Sequence, residues 1–289
     1  MIVNLKTLMN DAQKNNYAVG GFNAPDFATL EAIIEAAEET KSPIILSHAF
    51  LHEEFVSLEE AADRFKHFAG KTEIPVCLHI DHALSYEYAV KALRYGFTSV
   101  MYDCAHMDFE ENVREVAAFT ELAHTMDVSV EAEVGRMPSS VEGHGGCSET
   151  GVAIENIEQY YSVPDEVAEF VNRTNVDAIT VSFGTIHGIS ITKPVLDIEH
   201  LKKIRSATGC PLVMHGGSDV TREDITKAIN NGIQKINFYT QISRSPLPEL
   251  ADMFAKEDEN LSVPLIYRVM KNSTKRVVMD RIQLFNNRY

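Results

Sequence analysis

Eight short apolar runs rich in Val and Ile alternate with longer segments of helical period along the chain, and polar residues stand where the runs end. Strands that are apolar on both faces and alternate with helices indicate a parallel sheet, because crossover helices then cover each face. An open doubly wound sheet would gather its ligand groups at one point, where the strand order reverses. Here the polar groups are spread around all the strand ends, which favours a sheet closed into a barrel. The sequence therefore predicts an α/β fold, a (β/α)8 TIM barrel with extra C-terminal helices.

The predicted elements follow in order along the chain. The strands are expected at 18–23, 43–47, 75–80, 99–102, 129–134, 178–182, 212–214 and 233–237. Ala, Leu and Ile recur at three- and four-residue steps between them, which predicts helices at 27–40, 58–69, 85–95, 109–126, 165–172, 198–208 and 222–231. We expect residues 1–289 to form a single barrel domain. Residues 240–289 would supply its last helix and a C-terminal helical extension.

The composition excludes several classes of partner. A formal charge of −16 disfavours nucleic acid and anionic membranes, since both require clustered Lys and Arg. No run approaches the roughly 18 apolar residues of a membrane span, and the N-terminal residues lack an export signal. Four cysteines without paired spacing are expected to be reduced thiols, so the sequence predicts a cytoplasmic protein.

Four residues at strand ends carry the strongest chemical signal. Asp81 and His82 end one apolar run, and His187 and His215 stand at the ends of two later runs. Three neutral imidazoles leave zinc an open position, where a ketone and its neighbouring hydroxyl can chelate and an enediolate can be stabilised. Asp81 would then be placed to move a proton. The pattern predicts a Zn²⁺-dependent enzyme.

Two acidic residues and a glycine-rich loop extend this site. Asp103 and Glu133 follow the fourth and fifth strands and are expected near the zinc, where they could orient the histidines or cap helices. Barrels commonly bind phosphate through backbone N–H groups and hydroxyls after the last two strands. The residues expected to bind substrate there and at the first strand end are Asn23, Gly216, Gly217, Ser218, Asn237 and Thr240.

Five motifs together resemble one known family. LHIDH at 78–82, VEAEVG at 130–135, GTIHG at 184–188, HGGSD at 215–219 and NFYT at 237–240 are similar to the ordered signature of class II, zinc-dependent ketose-bisphosphate aldolases, which include fructose- and tagatose-bisphosphate aldolases. The resemblance implies that Asp81 takes a hydroxyl proton during cleavage and that Asp103 and Glu133 offer an alternative metal position. It also implies that Gly188 helps to bind the phosphate of dihydroxyacetone phosphate, with Na⁺ or K⁺ nearby.

The family carries a general-base glutamate on a loop, and the matching segment here is irregular. Glu142 is the best match for the base that abstracts the carbon-bound proton of dihydroxyacetone phosphate, and Glu149 is a second candidate. The segment 136–164 is rich in glycine and contains Pro138, as expected of a lid at the mouth of a barrel.

Other departures concern the aldehyde. Ala49 and Ala105 stand where many relatives have a hydroxyl residue, and Lys193 is the nearest basic group after the third motif, GTIHG. No arginine matches the one that relatives use for a distal phosphate, so the aldehyde partner stays open. The candidates are expected on a solvated helical face: Arg268, Arg276, Arg281 and Arg288. His48 and His52 follow the second strand and could reach the mouth of the barrel, but exposure in a loop is expected.

The leading prediction is a class II aldolase, a carbon–carbon lyase acting on a small phosphorylated sugar, a ketose 1-phosphate or 1,6-bisphosphate. The alternatives are a metal-dependent barrel hydrolase and a non-catalytic phosphosugar-binding barrel. The presence of Asp81 and all three histidines argues against the non-catalytic barrel. The resemblance also suggests a homodimer or a homotetramer.

Overall fold

The strands of the computed structural model form one parallel sheet, and the residues described are 1–135, 156–186, 194–256 and 261–287. In chain order the strands are β1 (Ile2–Val3), β2 (Val19–Asn23), β3 (Ile44–Ala49), β4 (Val76–Ala83), β5 (Ser99–Tyr102), β6 (Ser129–Glu133), β7 (Ala178–Thr180), β8 (Leu212–Met214) and β9 (Ile233–Asn237). The sheet order is β1-β4-β3-β2-β9-β8-β7-β6-β5, and β4 also pairs with β5. This last pairing closes β2 to β9 into an eight-stranded barrel, as the sequence predicted.

Helices follow the strands on the outside of the barrel. They are α1 (Leu5–Asn15), α2 (Phe27–Thr40), α3 (Leu58–Ala69), α4 (Tyr86–Tyr95), α5 (Phe109–His124), α6 (Pro164–Thr174), α7 (Ile198–Ala207), α8 (Arg222–Asn230), α9 (Thr240–Arg244), α10 (Leu247–Ala255) and α11 (Val263–Phe285). All eight predicted strands and all seven predicted helices are confirmed, with ends that differ by a few residues. The described helices include none with the length and apolar character needed to cross a bilayer.

The sequence did not predict α1, which begins before the first barrel strand. The side chain of Asn4 accepts a hydrogen bond from the backbone N–H of Thr7 and so caps the start of this helix. Its apolar face packs against inward-facing residues at the beginnings of five barrel strands: Val19, Ile45, Cys77, Ala178 and Val213. The helix therefore closes the N-terminal end of the barrel, which leaves the C-terminal end for a site.

The long helix α11 lies against α2 and covers the region where β2 meets β9. Lys271 and Lys275 donate to the carboxylate of Glu35 on α2 at 2.7 and 3.1 Å. At the other end of α11, the ring of Phe285 lies 6.5 Å from that of Phe22 and 6.3 Å from that of Phe238. The apolar core between the helices and the barrel is thus continuous from α2 to the end of α11.

Candidate active site

A bulge near the end of β4 explains how two consecutive residues face the same site. The pairing of β4 with β5 shifts by one residue between Ile80 and Ala83. His82, inside this bulge, has a φ of 57° in the left-handed region, which is unusual for a residue with a side chain. Regular alternation would send Asp81 and His82 to opposite faces of the strand. The bulge instead turns both toward the mouth of the barrel, and such local strain is typical of functional sites.

The imidazole of His82 is oriented by a carboxylate. Its Nδ1 lies 2.7 Å from Oδ2 of Asp103, the residue after β5, and both side chains are buried. Oδ1 of Asp103 accepts the backbone N–H of Ala105, which fixes the carboxylate in turn. This contact leaves Nε2 of His82 to face the cavity, as in metal sites where a carboxylate orients the histidine ligand.

Charge also concentrates around His82. Burial disfavours its charged form, but the hydrogen bond to Asp103 and the charges of Asp81, Asp103 and Glu133 outweigh burial and raise the pKa of His82 to about 9. Potential ligand atoms of Asp81, His82 and His215 lie within 4.8 Å of one another, and so do those of His82, Asp103 and Glu133. A cavity that stabilises an imidazolium so strongly would equally stabilise a divalent cation bound by neutral imidazoles. The donor set fits the predicted metal site.

The carboxylate of Asp81 is held from both sides by amide groups. Asn23 at the end of β2 donates to Oδ2 at 3.0 Å, and Asn237 at the end of β9 donates to Oδ1 at 2.9 Å. The Asn237 amide nitrogen also lies 3.0 Å from Nε2 of His215. Both asparagines were predicted to bind substrate. In the structure their amide groups contact Asp81, and Oδ1 of Asn237 has no hydrogen-bond partner among the described residues.

These neighbours keep Asp81 ionised. Burial would raise the pKa of its carboxyl, but the positive groups around it, with His82 and His215 first, hold that pKa well below its ordinary value. A buried carboxylate with fixed donors on both oxygens keeps one orientation. Asp81 can therefore receive a proton from a group in the cavity without first having to lose its own.

A charged network forms the floor of the site inside the barrel. Nζ of Lys235 on β9 lies 2.6 Å from Oε2 of Glu131 and 3.1 Å from Nε2 of His79. Oε1 of Glu131 accepts the hydroxyl of Thr180 at 2.9 Å and lies 3.2 Å from Nε2 of His215. All these side chains are fully buried. The network fixes the ring of His215 from below.

We expect Lys235→Met to lower the free energy of unfolding by about 3 to 5 kcal/mol, because it leaves the carboxylate of Glu131 buried without its counter-ion. The double variant Glu131→Met/Lys235→Met should be more stable than the single variant, since it leaves no uncompensated charge. Urea denaturation followed by circular dichroism measures both. The control is Lys227→Met, which removes an exposed pair with Glu223 and should leave the midpoint unchanged. A Lys235→Met loss below about 1 kcal/mol would contradict the assignment of this pair as buried.

The glycine-rich loop after β8 lies beside these groups. Gly216 has a φ of 68°, and a Cβ atom there would lie 2.2 Å from the backbone oxygen of Ile186, so only glycine fits. A short 3-10 turn follows at Gly217–Asp219, and the side chain of Gln241 donates to the backbone oxygen of Ser218. The cavity at this end of the barrel is lined by the predicted residues Asn23, Asp81, His82, His215, Gly216, Ser218, Asn237 and Thr240, and by Phe238 and Tyr239.

Some predicted residues lie outside the part of the chain that the structure describes, namely Glu142, Glu149, His187, Gly188, Lys193 and Arg288. Arg281 was expected on a solvated face, but its guanidinium lies 4.9 Å above the ring of Phe238 and only 15% of its side chain is exposed. Arg276 is exposed and pairs with Glu249 at 2.8 Å. Neither arginine is among the residues that line the cavity.

Sequence reasoning missed three groups at this site. His48 and His52 were expected at the surface, but 0% and 5% of them are exposed. His48 lies in β3 itself, and the short 3-10 turn Phe50–His52 brings His52 beneath neighbouring loops. Lys235 was overlooked, although a lysine inside the apolar run IQKIN, in phase with Asn237, signals an inward-facing charge.

Comparisons with known proteins agree with this architecture. The family described as "Fructose-bisphosphate aldolase class-II" matches residues 3–288. The chain is 34% identical over 299 residues to the fructose-bisphosphate aldolase of Geobacillus stearothermophilus, covering 99% of this chain and 97% of the relative. It is 32% identical to the crystal structure of the YdjI aldolase from Escherichia coli K12, with a TM-score of 0.85 and coverage of 99% and 97%. The chain therefore belongs to the class-II fructose-bisphosphate aldolase family.

Proposed function

We propose that the protein is a zinc-dependent aldolase, which reversibly cleaves a ketose 1-phosphate or ketose 1,6-bisphosphate into dihydroxyacetone phosphate and an aldehyde. The observation that carries the proposal is the convergence of Asp81, His82 and His215, whose ligand atoms lie within 4.8 Å of one another beside a glycine-rich loop. Membership of a family of aldolases supports the class of reaction.

His82 and His215, with His187 from outside the described residues, would hold the zinc ion. The buried setting of His82 and His215 and the contacts to Asp103 and Glu131 fix both rings for this role. Bound zinc would polarise the ketone of the substrate and stabilise the negative charge that develops next to it. Asp103 and Glu133 would offer a second position for the ion, because their ligand atoms form a separate group with His82.

Asp81 would transfer the hydroxyl proton in the half of the substrate that becomes the aldehyde. In the cleavage direction its carboxylate would take the proton from the hydroxyl that becomes the aldehyde oxygen. The carbon–carbon bond then breaks, its electrons form a double bond to the ketone carbon, and the negative charge passes to the ketone oxygen. In the condensation direction the same proton returns to the alkoxide. The low pKa of Asp81 keeps its carboxylate ionised, so it can accept this proton.

The phosphate of the three-carbon product would bind the loop after β8 and the start of α9. It would be held by backbone N–H groups at Gly216 and Gly217 and by the hydroxyls of Ser218 and Thr240, and the lining of the cavity by Gly216, Ser218 and Thr240 supports this assignment. We propose Glu142 for the carbon-bound proton of dihydroxyacetone phosphate, as the match to the family loop implies. A sodium or potassium ion would help to neutralise the phosphate.

The test combines zinc content with release of dihydroxyacetone phosphate from a panel of ketose 1-phosphates and 1,6-bisphosphates, with and without a chelator. We expect stoichiometric zinc and release that the chelator abolishes and added zinc restores. Release of inorganic phosphate or water-dependent cleavage instead would favour the hydrolase alternative. Zinc binding without release, and without exchange of the dihydroxyacetone phosphate proton with solvent, would favour the non-catalytic barrel.

A further inference from the structure

Two buried histidines next to the candidate active site each have one ring nitrogen without a hydrogen-bond partner among the described residues. His48 on β3 and His52 in the turn that follows it are 0% and 5% exposed, and Nδ1 of each has no partner among the described residues. Buried polar atoms without a partner are rare, and they recur at sites that bind ligands. Nε2 of His48 lies 3.4 Å from Oε1 of Glu53.

The pair adjoins the cavity on the side away from the glycine-rich loop. The ring of His52 lies 4.9 Å from the ring of Tyr239, which lines the cavity after β9. Because β2 lies between β3 and β9, this contact crosses the carboxyl end of β2, where Asn23 holds Asp81. If the phosphate of the substrate binds after β8 and β9, as proposed above, the half of the sugar beyond Asp81 would extend toward His48 and His52.

The charges around the pair are all negative. The carboxylates that act on His48 are those of Glu53 and Asp81, and those that act on His52 are those of Asp81 and Asp26; the imidazole of His48 acts on His52 in the opposite sense. No lysine or arginine in the described ranges is among them. Tyr88 donates to Oε1 of Glu53 at 2.7 Å and fixes that carboxylate beside His48.

Burial also keeps both imidazoles neutral. It lowers the pKa of His48, and it lowers the pKa of His52 to about 4, more than the nearby carboxylates raise it. A neutral imidazole offers one donor and one acceptor, the pattern that a hydroxyl group matches. A phosphate dianion would instead face three carboxylates without a lysine or arginine of the described residues to pair with.

We propose that His48, His52 and Tyr239 form the wall that receives the aldehyde half of the substrate, and that this half presents hydroxyl groups there rather than a phosphate. The proposal rests on the proposed function and names its substrate class, a ketose 1-phosphate whose far end is an uncharged polyol. A site built to hydrogen-bond a hydroxyl discriminates strongly against a partner that leaves its buried groups unpaired.

The test is condensation of dihydroxyacetone phosphate with two matched pairs of aldehydes, glyceraldehyde with its 3-phosphate and erythrose with its 4-phosphate. We expect the zinc-loaded enzyme to favour the unphosphorylated member of at least one pair by tenfold or more in kcat/KM. His52→Phe should raise the KM for that aldehyde about tenfold, and His52→Gln, which keeps a donor and an acceptor, should restore part of the loss. The matched control is His67→Phe, the same change at an exposed position of α3.

Exchange of the dihydroxyacetone phosphate proton with solvent separates this proposal from the proposed function, because exchange needs no aldehyde. If the enzyme exchanges the proton but the phosphorylated member of each pair reacts as fast or faster, or neither member reacts, the inference is wrong. A His52→Phe variant that loses exchange as much as condensation would show a role in folding and would overturn it as well. Absence of exchange in the unmodified enzyme would overturn both proposals together.

Discussion

Asp81→Ala should abolish cleavage and condensation while the protein still binds zinc. General acid–base catalysis contributes a factor of about 10² to 10⁴, so we expect kcat to fall by at least about 10². His82 and His215 do not depend on Asp81 for their orientation, since Asp103 and Glu131 hold them. Steady-state kinetics with the best ketose phosphate, together with metal analysis of the same sample, measures the two effects separately.

The control is Asp63→Ala, which removes a carboxylate from the surface of α3, where it pairs with Lys66 at 3.0 Å. It should keep full activity and full zinc. Two outcomes would contradict the role given to Asp81. Turnover within tenfold of the unmodified enzyme would show that another group moves the proton. Loss of zinc along with activity would show that Asp81 is a metal ligand, which its place among the ligand atoms of His82 and His215 permits.

The position of Asp81 could be predicted from sequence, but its partnership with His82 could not be derived from strand alternation. A regular strand places neighbouring side chains on opposite faces. In the structure, an extra residue in β4 and a left-handed backbone conformation at His82 turn the two side chains toward the same site. Such a bulge leaves no mark in hydrophobic periodicity, and only the resemblance to a family placed both residues in one site beforehand.

The barrel itself was predictable because its signals are local and repeated. Each strand is a short apolar run and each helix has its own periodicity, so eight independent signals agree on one architecture. Burial of His48 and His52 was not predictable, since it depends on Tyr239 from the far end of the chain and on Tyr88 and Glu53. Contacts between distant segments decide whether a loop histidine is exposed.

His82→Ala and His215→Ala should each lose zinc as well as activity, which distinguishes them from Asp81→Ala. Each variant removes an imidazole from a site that has few other ligands, so we expect less than one-tenth of the zinc to remain after dialysis.

Asp103→Asn is the graded comparison, because it removes the carboxylate that orients His82 at 2.7 Å but leaves the ring in place. Loss of such an orienting partner lowers metal affinity about 10- to 100-fold. Competition with a zinc-binding dye measures all three affinities without any turnover. An affinity order in which Asp103→Asn is weaker than His82→Ala would assign the ion to the group of His82, Asp103 and Glu133 instead of the group that contains His215.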